Sequence, residues 1–315
     1  MDNVDINLFK ADPDLTMHMF FLNASGYVYS RYGQRKDGKS ETMMSVEGIR
    51  DAMRKVLDIH RKEASKTAPP WKPFDTQDLL SFKRDPRRPG GCLHCHHAGY
   101  YLRKEEFMVG RLNKETVWGF PLPDNLGIVL DIDRNTVVKE ASGLAEKAGM
   151  QAGDRVVTVD GKRVVTPADF IWILNAFKGG TLKVVADREG KSRTFSFALK
   201  GGDWRKTNIS WRQSWWDSGP DIGLEGEDLS ADERKALGLS EDAIAIRVTK
   251  LKSGGAAAGA GVKTDDVVVG VDRETKDMEA IELLMHVRLK FRVGESMPLT
   301  VLRGKQRIGM NVKFK

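Results

Sequence analysis

Thirteen residues near the middle of the chain return near its end. Ala148-Gly149-Met150-Gln151-Ala152-Gly153-Asp154-Arg155-Val156-Val157-Thr158-Val159-Asp160 aligns with Ala260-Gly261-Val262-Lys263-Thr264-Asp265-Asp266-Val267-Val268-Val269-Gly270-Val271-Asp272 at a constant offset of 112, and seven of the thirteen positions are identical. Such a repeat means that one supersecondary unit is built twice. Upstream, Leu126-Gly127-Ile128 and Ile222-Gly223-Leu224 are offset by only 96, so the second copy carries sixteen extra residues. Ser230 and Glu233 form a capping box there, and the short helix they open is expected to end near Gly238.

Each copy reads as a strand after an apolar-Gly-apolar loop, a small-residue turn, an alternating strand, a helix and a closing hairpin. In the first copy Thr166 caps the helix, Pro167 occupies its first turn, and Phe170, Ile171, Leu174 and Phe177 are expected on its buried face. The second copy predicts a helix near Met278 to Phe291. The expected fold class is therefore α+β and multidomain, with the copies at 121–202 and 219–315. Through the AGxxxGD-like turn and the LGI loop, both copies resemble the PDZ domains fused to HtrA-like envelope proteases. In the second, Asp265 replaces the turn glycine.

The resemblance implies capture of a protein or peptide C-terminus by strand addition. The carboxylate cradle would be Leu126, Gly127 and Ile128 in the first copy and Ile222, Gly223 and Leu224 in the second. Between the copies, the linker 203–218 carries Trp204, Trp211, Trp215 and Trp216, which packing between domains explains better than a ligand platform. The chain has no GxSxG elbow, GNSGG-like loop or HExxH, so hydrolase chemistry has no carrier in the sequence, and the expectation is a binding module and not a protease.

The first 66 residues predict a hairpin, Met19 to Leu22 and Tyr27 to Tyr29 around an Asn23-Ala24-Ser25-Gly26 turn, followed by a helix capped by Ser45. Its apolar face would be Val46, Ile49, Met53, Val56 and Leu57. Strand, strand and helix resemble the C-terminal half of a thioredoxin-like domain. With the segments downstream, the chain is similar to bacterial thioredoxin-like/PDZ (seleno)proteins, whose redox half would lie upstream of Met1.

Residues 67–120 form a connector rich in Pro69, Pro70, Pro73, Pro86 and Pro89, with a helix expected from Ala98 to Lys114. It holds the only two cysteines, in Cys92-Leu93-His94-Cys95-His96-His97. This is the CxxCH spacing of c-type haem attachment, with Cys92 and Cys95 as thioether anchors and His96 as an axial ligand of the haem iron. Met108 and His60 are candidates for the second axial position. A dithiol or disulfide, or a zinc site drawing on His94 and His97, stands as the alternative.

The haem reading predicts electron transfer or redox sensing in the cell envelope, beside peptide binding. The alternative is a non-redox scaffold binding C-terminal peptides. Lys and Arg number 51 against 44 Asp and Glu, a net charge of +7 that suits an acidic redox partner. The basic residues are dispersed, which argues against nucleic acid. No stretch is apolar enough for a membrane helix, and Met1-Asp2-Asn3-Val4-Asp5 is unlike an export signal. Haem attachment predicts the periplasm, and a start at Met1 predicts the cytoplasm. His60 and His286 otherwise read as structural residues.

Overall fold

The protein, seen in a computed structural model, is described at residues 8–38, 43–70, 75–88, 90, 93, 95–209, 211–215 and 219–314. It is mixed α+β and divides into two compact units, Met1–Leu102 with Glu115–Gln213 and Arg103–Lys114 with Ser214–Lys315. Among the described residues no helix is long and apolar enough to cross a membrane.

In the first unit, β1 (Met19–Leu22) and β2 (Val28–Tyr32) pair antiparallel, Met19 against Tyr32, with a bulge between Phe21 and Leu22. Asn23 closes the turn by accepting the Ser25 and Tyr27 amides at 3.0 and 2.9 Å, as an Asx side chain does in place of backbone. Its own amide donates to the carbonyls of Ala64 and Lys66, at the end of helix α1 (Val46–Glu63). At the other end of α1, Ser45 Oγ accepts the Gly48 amide at 2.9 Å and donates to the Ile132 carbonyl at 3.1 Å.

The buried face of α1 differs from the expected one. Gly48, Ala52 and Val56 are buried, while Val46, Met53 and Leu57 are 65%, 50% and 54% exposed. Small residues decide the choice: a Cβ on Gly48 would lie 2.2 Å from the Ile132 carbonyl, so only glycine admits this approach. Along the same side, Asn135 Nδ2 donates to the Gly48 carbonyl and to Asp51 at 2.7 and 2.8 Å. His60 meets the Tyr29 hydroxyl at 2.8 Å, a structural role.

The connector forms α2 (Leu80–Lys83), α3 (Cys95–Met108) and α4 (Lys114–Val117). The expected single helix from Ala98 to Lys114 thus begins earlier and is broken in two, with Gly110 between at φ +68°. Leu93 and Tyr101 pack with Phe82 in a small apolar cluster, and Ser81 Oγ donates to the Tyr101 carbonyl at 2.8 Å.

A 3₁₀ turn at Pro123–Leu126 leads into β3 (Ile128–Leu130), paired with β4 (Val138–Ala141) and followed by α5 (Gly143–Lys147). Then come β5 (Arg155–Val159), β6 (Lys162–Arg163), α6 (Pro167–Ala176), β7 (Gly180–Arg188) and β8 (Lys191–Leu199), in a sheet ordered β6, β5, β7, β8. Period-two alternation puts Leu182, Val184 and Ala186 of β7 and Phe195, Phe197 and Leu199 of β8 into one core. On α6, Phe170, Ile173 and Leu174 enter that core, each large side chain contributing about 2 kcal/mol by leaving water. Ile171, expected among them, is buried on the opposite side.

The second unit contains β9 (Leu224–Asp228), α7 (Ala231–Ala236), β10 (Ile246–Leu251), α8 (Ala256–Gly259), β11 (Val267–Val271), α9 (Ala280–Lys290), β12 (Ser296–Arg303) and β13 (Gln306–Lys313). Its antiparallel sheet runs β13, β12, β11, β10, β9. The sixteen-residue insertion holds α7, capped reciprocally by Ser230 and Glu233 and followed by Gly238 at φ +68°. Ile246, Val248, Val268, Leu299 and Val301 meet Leu283 and Val287 of α9 in the core.

Each repeat carries the same clasp. Arg188 binds Asp154 at 2.6 and 2.8 Å and donates to the Gly149 carbonyl at 2.8 Å. Arg303 binds Asp266 at 2.7 and 2.8 Å and donates to the Gly261 carbonyl at 2.8 Å. The aspartate at the end of the repeated turn thus ties it to a distant strand by a bidentate, charge-assisted pair.

The tryptophans between the copies do not form one platform. Trp204 joins the first unit's core, Trp211 lies against Arg35 and Arg212, and Trp215 is fully buried in the second unit with Arg103 4.3 Å from its ring centre. Trp216 lies outside the described residues.

Candidate peptide-binding site

Both glycine loops adopt the left-handed backbone, Gly127 at φ +78° and Gly223 at φ +71°. A Cβ on Gly127 would lie 1.8 Å from the Ser142 carbonyl, whereas one on Gly223 would meet Gly255 Cα at 3.1 Å. The first loop therefore has no room for a side chain. Leu126 and Ile128 are fully buried and belong to the core. The Gly127 amide donates to the Asp124 carbonyl at 2.8 Å, closing the 3₁₀ turn. Asn125 turns away, donating to the carbonyls of Trp204 and Lys206 at 2.9 Å each.

The helix beside this loop, α6, is covered on its outer side by the chain itself. Asp169 accepts the Ser30 hydroxyl at 2.7 Å, the Arg31 amide at 3.0 Å and the Val165 amide at 3.0 Å. Burial pushes the Asp169 carboxyl upward in pKa, with the Ser30 bond pulling the other way. The Arg31 guanidinium sits 4.3 Å from the Trp172 ring centre, and the Phe120 amide donates to Asn175 at 2.9 Å. Between these groups remains a cavity of about 20 Å³, lined by Leu15, His18, Arg31, Phe120, Ile171 and Trp172, with room for about one water molecule.

The second copy is arranged differently. β9 is an edge strand of its sheet, and Glu225, Glu227 and Asp228 on it are exposed. Asp228 accepts the Ala280 amide at 3.0 Å, which ties this strand to the start of α9. Though the residue as a whole is exposed, its carboxyl is partly desolvated and raised in pKa, against the pull of the Ala280 amide. Ile222 is buried and Leu224 half-buried, and the Ile222 and Gly223 carbonyls accept the Ala257 and Lys252 amides at 2.8 and 2.9 Å. A cleft of about 310 Å³ opens here, lined by Asp221, Gly223, Leu224, Glu225, Lys250 and Lys252, a size within the range of ligand pockets.

Sequence reasoning missed Asp221. Its Oδ1 accepts the Gly223 amide at 2.9 Å, and its Oδ2 lies 3.2 Å from Lys252 Nζ. Lys250 pairs with Glu225 at 2.9 Å, and Arg247 with Glu233 at 2.7 Å. Arg247 and the Ser230 cap pull Glu233 down to about 2. The signal was the aligned pair itself: Asp221 stands where the first copy has the uncharged Asn125.

Cys92 lies outside the described residues, and the side chains of Cys95 and His96, at the start of α3, are not described either. Among the described residues, no group of three or more His, Cys, Asp or Glu is arranged to hold a metal. His286, on α9, faces Asp272 at 3.5 Å, and burial lowers its pKa.

Over part of its length the chain resembles PDZ-containing proteases of the HtrA/DegP type. It is 29% identical over 138 residues to a probable periplasmic serine endoprotease, DegP-like, of Pseudomonas fulva (strain 12-X), covering 42% of this chain and 28% of that protein. To its counterpart in Chlamydia muridarum (strain MoPn / Nigg) it is 30% identical over 164 residues, covering 51% and 30%. The chain spans between 28% and 31% of the length of these and similar relatives. Among solved structures, the HtrA-type protease AlgW with tripeptide aligns over 41% of this chain and 42% of its own, at 22% identity and a TM-score of 0.28. The HtrA3 PDZ domain bound to a phage-derived ligand (FGRWV) aligns over 30% and 85%, at 17% identity and a TM-score of 0.25. No protein-family model matches the chain.

These relatives correct the redox reading. The function read from the CxxCH run, haem-based electron transfer or redox sensing, is overturned by homologues that are periplasmic serine proteases, and an acidic redox partner finds no support in them. The expected kinship with thioredoxin-like/PDZ (seleno)proteins also finds no support in them. The physical reason lies in how little a five-residue match constrains. The apolar side chains around the motif, Leu93 and Tyr101, are spent on packing against Phe82. The hairpin and α1, read as half a thioredoxin-like domain, spend their polar contacts on Asp169, Ile132 and Asn135 of the first repeat.

Proposed function

We propose that the chain is a peptide-recognition component of a periplasmic, DegP-like proteolytic system, with 121–202 and 219–315 as its two PDZ-like modules. The observation that carries this reading is the contrast between the copies. The strand after the glycine loop is a sheet edge in both, and in the second copy it lies beside a cleft of about 310 Å³. In the first, the outer side of α6 is closed by β2 and Phe120. An edge strand offers unpaired backbone groups to an incoming extended peptide, which supplies affinity without a deep pocket. The second module is therefore the binding one, and the first serves as its folded support. Resemblance to periplasmic proteases supports the compartment and the proteolytic context.

Fluorescence anisotropy of labelled random decapeptides titrated with the full chain tests the proposal. Saturable binding, with Kd in the range of about 1 to 100 μM expected of short peptides on small interfaces, is the predicted result. Absence of binding across the set, with the chain folded by circular dichroism, rejects it.

A further inference from the structure

We infer that the second module takes a chain-internal extended segment bearing Lys or Arg, and not a free C-terminus. This rests on the peptide-binding reading above and deepens it.

A cradle for a terminal carboxylate needs backbone amides that are not already spent. At Gly223 the amide already donates to a carboxylate, that of Asp221, and Lys252 lies beside the same group as its counter-cation. The place and the charge balance that a peptide terminus would require are taken by the chain itself. A second carboxylate arriving here either displaces Asp221 or lies against it with like charge. The first copy lacks this arrangement, because Asn125 is uncharged and directs its amide toward Trp204 and Lys206.

The edge strand itself selects for charge. β9 reads Leu224-Glu225-Gly226-Glu227-Asp228, where the first copy has Ile128-Val129-Leu130. On its inner side β9 faces β10, with Glu225 opposite Lys250 and Glu227 opposite Arg247. Arg247 is engaged by Glu233, and Asp228 by the Ala280 amide. A segment added on the outer side sets its alternate residues beside the exposed Glu227 and beside Glu225, whose pairing with Lys250 at 2.9 Å a peptide cation would share, and opposite charges at such positions stabilise the pairing. Lys or Arg at every second position meets that condition, and a segment without a terminus at the loop leaves Asp221 undisturbed.

The test is a decapeptide array made in parallel with free-acid and amidated ends, in which alternate positions carry Lys or Glu, probed with the full chain. Acids and amides are expected to bind within about twofold of each other, and Lys-bearing peptides about fivefold more tightly than their Glu counterparts. Asp221→Ala frees the Gly223 amide and is expected to favour acids over amides by about fivefold. Glu225→Gln with Glu227→Gln is expected to erase the Lys preference. A native chain that binds acids about tenfold more tightly than amides, or that ignores peptide charge, overturns the inference while leaving peptide binding intact. An array with no bound peptide overturns the peptide-binding reading and the inference together.

Discussion

Burial holds the His18 imidazole down to about 4, and the neighbouring Arg31 guanidinium adds to that effect. The ring is thus neutral in the folded protein at neutral pH. Above the unfolded value of 6.5 both states are neutral and His18 costs nothing. As pH falls below 6.5 the unfolded chain takes up a proton that the folded chain refuses, so stability declines until about 4, where the folded ring also titrates. At pH 5 the loss is about 2 kcal/mol. Urea unfolding of the first unit at pH 7 and pH 5 is expected to show this decline, and His18→Leu to remove its share. An equal decline in the variant excludes His18 as the source.

At the scale of elements, the clasp between turn and strand is the shared device of the two repeats. Arg303 holds Asp266 below the usual carboxylate range, first through its own hydrogen bonds, against the opposing pull of burial. With its folded value depressed, Asp266 contributes stability above about pH 4, and that contribution is lost as pH falls through the folded value. Asp266→Asn is expected to destabilise the second unit by about 2 kcal/mol, because charged hydrogen bonds are replaced by weaker ones. Hydrogen exchange of the β12 amides in rising urea measures it, and unchanged exchange there would refute the clasp. Asp154 and Asp266 were visible in the thirteen-residue repeat, but Arg188 and Arg303 were not, since each sits on a strand far along the chain. Ser230, Glu233 and Gly238 were legible because capping is local. The buried face of α1 was not, because apolar periodicity pointed to Met53 and Leu57 while the contact was chosen by Gly48 and Ala52, which lie close against another segment. The CxxCH run suggested a redox function that the homologues contradict, since a short local pattern carries no information about the rest of the chain.

At the scale of the whole molecule, one sequence repeat has produced two different exteriors. The offset of 112 announced a shared core, and both units have one built from alternating strands and a helix. What surrounds each core depends on contacts between residues more than a hundred positions apart, such as Ser30 with Asp169, that no periodicity encodes. Those contacts bury Ala168 and Ile171 on the outer side of α6, so peptide addition beside it would require β2 and Phe120 to leave. No such cost applies at β9, whose Glu225 and Glu227 are already exposed. Hydrogen exchange on the full chain with saturating peptide is therefore expected to slow amides within 224–228 and leave those within 128–130 unchanged. Slowing confined to 128–130 would move the binding edge to the first repeat and require the hairpin to open. Slowing at both would show that the covering of α6 does not exclude ligand.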